Sequence, residues 1–215
     1  MRIFTYFFLT LILFVAILGG CTKQELIRIA CVGDSITFGA GIEGRDSLAY
    51  PPKLNALLGS DYIVKNYGVS GRTLLRKGDF PYINEKAYKD ALSWNPNVIL
   101  IKLGTNDTKP QNWQYGKEYK TDYIDLIESF QKLSSRPRVI LVKPVPAFQS
   151  NYMISDIVIV DEIIPIIDEI CKELNFQAID LHTPMLDDGA LFPDHIHPNA
   201  EGAAKMAELI YMQIK

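Results

Sequence analysis

Cysteine is scarce in this sequence, with three residues among 215. Cys31 lies in an apolar strand-like run and Cys171 in an apolar helix-like run, so both are expected to be small buried hydrophobic residues. A disulfide between these two stays open, but two cysteines do not make the framework of a disulfide-rich domain. The third cysteine, Cys21, follows an apolar N-terminal stretch and has a different explanation.

An excess of one charge is also lacking, since 22 Lys and Arg face 25 Asp and Glu and the net charge is -3. The sequence therefore has no basic stripe that could follow phosphates, and we expect no nucleic acid partner. Repeats and low-complexity segments are absent as well. A hydrophobic content of 48% fits one globular domain with a sizeable core.

Long apolar runs are missing except at the N-terminus, where Arg2 precedes an apolar stretch over residues 3–18. This pattern is typical of an export signal, and the stretch is short for a membrane span of about 20 residues. Leu18-Gly19-Gly20-Cys21 resembles the bacterial lipobox, which implies cleavage before Cys21 and a lipid on that cysteine.

The lipobox resemblance divides the chain into a signal peptide (1–20), a lipid-anchored tether (21–25) and one domain (26–215). It places the domain outside the cytoplasm, in contact with a membrane only through its anchor. A plain secretory signal or a short signal anchor is the alternative. The sequence does not indicate which membrane, or an oligomeric state.

From Glu25 onward, short β-branched runs alternate with segments of helical period, as in a parallel sheet covered by helices on both faces. Strands are predicted over 26–32, 62–66, 98–103, 139–142 and 176–181, with the third, "NVILIKLG", at the centre. Helices are predicted over 47–58, with its true start confined by two prolines, and over 85–93, 119–133 and 198–214. In the apolar segment 154–174, Pro165 either kinks a helix or marks where its regular part begins.

Four loops carry polar residues after the predicted strands: "GDSITFG", "NYGVSGRT", "LGTND" and, after a longer loop, "PDHIHPN". Because ligands of open α/β sheets bind at the carboxyl ends of the strands, these loops are expected to meet at one edge. The residues brought there are Ser35, Gly68, Asn106, Asp194 and His197.

Ser35 can act as a nucleophile only with a base in hydrogen-bond reach that a third group orients. His197 is the candidate base and Asp194 the candidate orienting group, whereas His195 should point elsewhere. The N–H groups of Ser35 and Gly68 and the amide of Asn106 are candidate donors to an oxyanion.

These four blocks resemble those of the SGNH hydrolases, also called GDSL esterases. Gly33-Asp34-Ser35 matches the first block, with Ile36 where leucine is frequent, and Gly104 to Asp107 matches the third. The resemblance implies a flavodoxin-like α/β/α sandwich with a five-stranded parallel sheet in the order 2-1-3-4-5. It also implies ester hydrolysis through an acyl-serine, without metal or cofactor, by Ser35, Asp194 and His197.

Other interpretations of these motifs are less favoured. Ser35 could be a helix N-cap. Asp194, His195 and His197 could be metal ligands, although no strong ligand beyond this cluster is evident in the sequence. A P-loop lacks its Lys-Ser or Lys-Thr pair, and Thr37 replaces the second glycine of a G-x-S-x-G elbow. The glycines of the second block and Asn106 could simply form turns.

Several neighbouring residues are expected to support the site rather than react. Asp34 and Asp107 are predicted hydrogen-bond acceptors, and His182 a loop or capping residue. Arg72 could either hold the second loop or meet a substrate oxygen.

Trp113 and Tyr115, in the polar segment "TKPQNWQYGKEY", suit stacking on a sugar ring. The sequence thus favours removal of acetyl groups from carbohydrate or sialic acid. A lysophospholipase or thioesterase is the alternative within enzymes. A catalytically inactive glycan-binding lipoprotein is the alternative outside them, and the intact Ser35, Asn106, Asp194 and His197 argue against it.

Overall fold

The computed structural model describes residues 25–214 of the chain. Its strands are β1 (Ile27–Gly33), β2 (Tyr62–Gly68), β3 (Val98–Lys102), β4 (Arg138–Val142) and β5 (Gln177–Ile179). Its helices are α1 (Ser35–Phe38), α2 (Arg45–Leu48), α3 (Tyr50–Leu58), α4 (Lys86–Trp94), α5 (Pro110–Trp113), α6 (Tyr119–Gln131), α7 (Asp156–Val158), α8 (Ile164–Leu174) and α9 (Ala200–Ile214). Short 3-10 turns join several of them, including Asn106–Thr108 and Asn151–Met153.

The five strands form one parallel sheet in the order β2-β1-β3-β4-β5, as the resemblance implied. The apolar strand β3 is central, as predicted. Gly33, at the end of β1, pairs with Gly68 of β2 on one side and with Lys102 of β3 on the other. The carboxyl ends of these three strands therefore share one edge of the sheet, and the loops that follow them begin side by side.

Each face of the sheet carries its own hydrophobic core, because side chains alternate along a strand. Ala30 and Val32 of β1 point into the core beneath α4, α6 and α8. Ile29 and Cys31 point into the core beneath α3 and α9. The result is the predicted three-layer α/β/α sandwich.

The prolines explain where the helices depart from the predicted ranges. The region predicted as one helix over 47–58 is two, α2 and α3, because Pro51 and Pro52 occupy the first turn of α3, where N–H groups have no intrahelical partner. Pro165 stands second in α8, directly after a wide π-helical turn, Ile159–Ile163. Of the two possibilities for Pro165, the structure has the one in which it marks the start of the regular helix.

Cys31 and Cys171 are both free and buried. They belong to the cores on opposite faces of the sheet, so no disulfide joins them. The predicted signal peptide and Cys21 lie outside the described residues. Within residues 25–214, no helix is both long enough and apolar enough to cross a membrane.

Candidate active site

Ser35 is the first residue of α1 and lies two residues after the end of β1. The N-cap of this short helix is Asp34, whose Oδ1 accepts the N–H of Ile36 at 2.9 Å. Ser35 is therefore not the capping residue, and its hydroxyl is left for another partner. A short helix directly after a buried strand holds that hydroxyl at the edge of the sheet.

The partner of Ser35 is His197, 162 residues further along the chain. His197 Nε2 lies 2.8 Å from Ser35 Oγ, and His197 Nδ1 lies 2.7 Å from Asp194 Oδ2. With the Nδ1 proton donated to the carboxylate, Nε2 is left as the acceptor for the serine hydroxyl. His197 therefore lies within hydrogen-bond distance of both Ser35 and Asp194 at one edge of the sheet.

Asp194 is held by its own turn, in which Oδ1 accepts the backbone N–H groups of His197 at 2.7 Å and Ile196 at 3.0 Å. Burial raises the pKa of this carboxyl, but the His197 ring and these backbone donors outweigh burial and leave the pKa below its ordinary value. The carboxylate thus stays ionised beside the imidazole. His195 is not among the residues that line the pocket at Ser35.

Asn106 begins the 3-10 turn that follows β3, and it is nearly fully buried. Its Nδ2 donates one hydrogen bond to the carbonyl of Arg72 at 3.2 Å. A side-chain amide has two N–H donors, so the second remains for the pocket that Asn106 lines. The bond to Arg72 also fixes the amide against the loop of the second block.

The structure does not support Gly68 as an oxyanion donor. Its N–H donates to Asn66 Oδ1 at 2.8 Å, and it is not among the residues that line the pocket. A Cβ at this position would lie 2.2 Å from the Phe38 N, so glycine is needed here for the close approach of β2 to α1.

Gly71, three residues further on, lines the pocket instead. Its φ of +81° favours glycine, and we find no acceptor for its N–H within residues 25–214. Sequence reasoning missed Gly71 because two glycines share the motif "GVSG" and spacing alone does not say which one faces the serine.

The pocket at Ser35 has a volume of about 270 Å³. Its lining residues are Ser35, Ala40, Ser70, Gly71, Asn106, Lys109, Tyr152, Ile154 and His197. Tyr152 and Ile154 were not expected at the site. They come from the loop after β4, which has no motif that marks it in the sequence.

Tyr152 closes one side of the triad. Its ring packs edge-on to the His197 ring with 5.9 Å between centroids, and its hydroxyl lies 3.4 Å from Asp194 Oδ2. Tyr152 and Met153 both have positive φ values, +54° and +62°, which are uncommon for residues with side chains. Strained backbone of this kind concentrates at functional sites.

Arg72 and Trp113, the two candidates for substrate contact, are not among the residues that line the pocket at Ser35. The Arg72 guanidinium contacts Glu85 at 2.8 Å and the Ser70 carbonyl at 2.7 Å, so it holds the second loop. Trp113 is partly buried against the core and packs on Tyr119 with 5.5 Å between centroids. The Trp113 ring is thus partly buried among apolar side chains and does not have the stacking role that the polar character of its segment predicted.

The predicted supporting residues act as expected. Asp107 accepts the N–H groups of Leu74 and Leu75, at 3.0 and 2.8 Å, and so ties the second loop to the third block. His182 Nε2 lies 3.1 Å from Asp156 Oδ1 and ties the loop after β5 to α7.

The fold is a parallel α/β/α sandwich, and at the carboxyl edge of its sheet a serine is hydrogen-bonded to a histidine, which is hydrogen-bonded to an aspartate. This is the architecture of a serine hydrolase. The sequence model of the GDSL-like lipase/acylhydrolase family matches residues 31–205. The chain belongs to this family, which confirms the resemblance drawn from the four blocks.

One similar protein is an acetylxylan esterase of Xylanibacter ruminicola, 48% identical over 211 residues. The match covers 90% of this chain and 44% of that protein, so the chain spans less than half the length of this relative.

Two solved structures share the fold at low identity. A carbohydrate acetylesterase from Sinorhizobium meliloti has a TM-score of 0.70 and 18% identity, with 87% of this chain and 98% of that one covered. The inhibitor-bound aryl esterase of M. smegmatis has a TM-score of 0.69 and 18% identity, with the same coverage of both chains.

Proposed function

We propose that this protein is a serine esterase that removes acetyl groups from carbohydrate esters through an acyl-serine intermediate. The observation that carries the proposal is the unbroken set of hydrogen bonds from Ser35 Oγ through His197 to Asp194, at 2.8 and 2.7 Å. The 48% identity to an acetylxylan esterase supports the acetyl-carbohydrate class. A pocket of about 270 Å³ at the serine suits a small acyl group.

In the first half of the reaction, Ser35 Oγ attacks the ester carbonyl carbon while His197 Nε2 accepts the hydroxyl proton. Asp194 stabilises the resulting imidazolium. The tetrahedral intermediate then collapses, and His197 gives its proton to the leaving sugar oxygen. In the second half, water attacks the acetyl-serine, with His197 again as base, and acetate and free Ser35 are released.

Negative charge on the carbonyl oxygen of the tetrahedral intermediate needs donors that are already in place. The N–H of Ser35, the N–H of Gly71 and the free N–H of the Asn106 amide are the three that we assign. Gly71 thus has the role of oxyanion donor that the sequence motif predicted for Gly68.

The test is the replacement Ser35→Ala, with the exposed Ser47→Ala on α2 as the matched control. Hydrolysis of p-nitrophenyl acetate should fall by at least about 10⁴-fold in the first variant and stay unchanged in the second. A fluorophosphonate probe should label the wild type and not Ser35→Ala. Turnover by Ser35→Ala at a rate near that of the wild type would contradict the assignment.

The acyl class is tested with p-nitrophenyl esters of increasing chain length and with acetate release from acetylated xylo-oligosaccharides. We expect the acetyl ester to be the best of the series. If decanoyl esters are cleaved faster than acetyl esters, a lipid or thioester substrate replaces the carbohydrate.

We also propose that residues 1–20 are a signal peptide and that Cys21 carries the lipid that anchors the domain (26–215) outside the cytoplasm. The support is the lipobox-like Leu18-Gly19-Gly20-Cys21. Fractionation of cells that express the chain tests this, because Cys21→Ser should move the protein out of the membrane fraction.

A further inference from the structure

Lys109 lines the pocket that contains Ser35 and His197, and its backbone is firmly held. It follows the 3-10 turn of Asn106, and its carbonyl accepts the N–H groups of Asn112 and Trp113, both at 2.8 Å. Pro110, the next residue, restricts the backbone further. The lysine side chain therefore starts from a fixed position beside the nucleophile.

The Lys109 ammonium has no ion-pair partner within residues 25–214, although the residue is partly buried. Two other lysines of the region are paired: Lys77 with Glu118 at 2.7 Å, and Lys120 with Glu169 and Glu173 at 3.0 and 2.8 Å. None of the other residues that line the pocket is an aspartate, glutamate, lysine or arginine. Among the described residues, Lys109 is thus the one lysine, arginine, aspartate or glutamate in the pocket lining, and no acidic side chain forms an ion pair with it.

A cation without an ion pair in a partly dry pocket favours an occupant with negative charge. The number of negative charges on a group then indicates which anions one lysine can match. A phosphate monoester carries about −1.5 to −2 charges at neutral pH and is usually met by several cations or by a ring of N–H donors. One lysine, a compact point charge, matches a group with a single negative charge, and on a carbohydrate ester a sugar carboxylate is such a group.

We propose that Lys109 binds a sugar carboxylate, so that the substrates are O-acetylated acidic glycans in which a uronic or similar sugar acid lies close to the acetylated hydroxyl. This inference rests on the proposed function and narrows its substrate class. The half-exposed ring of Tyr152, on the wall of the same pocket, provides an apolar surface for the sugar ring itself.

The experiment compares Lys109→Met, Lys109→Arg and the control Lys117→Met, an exposed lysine of the same segment outside the pocket lining. Each is assayed on an acetylated glucuronoxylo-oligosaccharide and on the matching neutral acetylated xylo-oligosaccharide. The wild type should prefer the acidic substrate, mainly through KM. Lys109→Met should lower the acidic-to-neutral ratio of kcat/KM about tenfold, the size expected for one charge-assisted hydrogen bond.

Lys109→Arg should keep most of the preference, and Lys117→Met all of it. The preference should also weaken at high salt, because the attraction is electrostatic. Equal rates of the wild type on the two substrates would overturn the inference, as would an equal loss on both in Lys109→Met. Faster Lys109-dependent cleavage of an anionic lysophospholipid than of either glycan would also overturn it.

A binding measurement distinguishes the failure of this inference from the failure of the proposed function. By calorimetry, Ser35→Ala should bind the acidic oligosaccharide more tightly than the neutral one, and Ser35→Ala/Lys109→Met should bind both alike. If the wild type hydrolyses neither glycan but this difference in binding is present, the esterase proposal fails and the carboxylate site stands. If the wild type is active and the difference is missing, the carboxylate site fails.

Discussion

Asp107 is a single buried carboxyl that holds two loops of the site together through the N–H groups of Leu74 and Leu75. Burial raises its pKa from 3.8 to about 7, against the effect of these donors, and the charge of Asp34 adds to the rise. The folded state therefore binds this proton more tightly than the unfolded chain does. The resulting stability is fully present below about pH 4 and is lost as the pH rises through about 7.

Asp107→Asn removes this titration, because an amide does not ionise in this range. Between about pH 4 and pH 8 the wild type should lose on the order of 4 kcal/mol of unfolding free energy relative to the variant. The introduced amide also turns its NH₂ group toward one of the two backbone donors, so the variant is less stable overall. The test therefore compares how the unfolding free energy of each protein changes with pH, not its absolute value. Urea unfolding at several pH values measures it, with the exposed Asp61→Asn as control. Parallel pH curves for wild type and Asp107→Asn would show that the carboxyl does not titrate here.

The site residues differ in how far the sequence could locate them. Ser35 and Asn106 follow apolar strands within a few residues, so the strand order alone brings them to one edge of the sheet. The spacing from Asp194 to His197 fits one tight turn. The sequence did not locate the Trp113 ring, which packs on Tyr119 instead of facing the pocket, and it did not decide between the two roles of Arg72, which Glu85 settles by pairing with it. Local sequence does not record such long-range partners.

The contact between α1 and β3 contains a fully buried ion pair beneath the nucleophile. Lys102 Nζ lies 3.5 Å from Asp34 Oδ1, and both side chains are inaccessible to solvent. Burial lowers the pKa of Lys102, while Asp34 opposes that effect. The same Asp34 oxygen caps α1, so the pair connects the central strand to the helix that presents Ser35.

Lys102→Met keeps the volume of the side chain but leaves Asp34 without a counter-charge. The unfolding free energy should fall by about 3 kcal/mol, the usual cost of one uncompensated buried charge. The double variant Asp34→Asn/Lys102→Met should recover much of this loss, because the asparagine oxygen can still cap Ile36. Urea unfolding of the wild type, both single variants and the double variant gives the coupling energy. Additive losses in the double variant would mean that the two side chains do not interact.

Elements with strong periodicity or apolar runs were predicted closely, as β3 shows: 98–103 against the observed Val98–Lys102. Predictions were less exact where a proline lies at a helix start. Pro165 cannot donate to the carbonyl four residues earlier, and the chain accommodates this with the π-helical turn before α8, which keeps Ile159 and Ile163 buried. The sequence pattern shows that Pro165 disturbs the helix. It does not show that the backbone before the proline forms a π-helical turn.

At the scale of the whole molecule, each face of the sheet has its own core, and each of these two cores contains one thiol. Cys31 is buried in the core under α3 and α9, and Cys171 in the core under α6 and α8. Burial raises the pKa of Cys31 to about 12 and that of Cys171 to about 11, so neither is a thiolate at neutral pH. Each thiol is thus a reporter for the opening of its own face.

Because every strand contributes side chains to both cores, the two faces should unfold together, as single domains of this size usually do. In the protein that begins at Glu25, which lacks Cys21, neither thiol should react with a maleimide in the native state. Both should become reactive at the same urea concentration, within about 0.2 M. Cys31→Ala and Cys171→Ala each leave one reporter and separate the two signals. Labelling of Cys171 at clearly lower urea would show that α8 detaches from the sheet before the face that carries α3 and α9 opens.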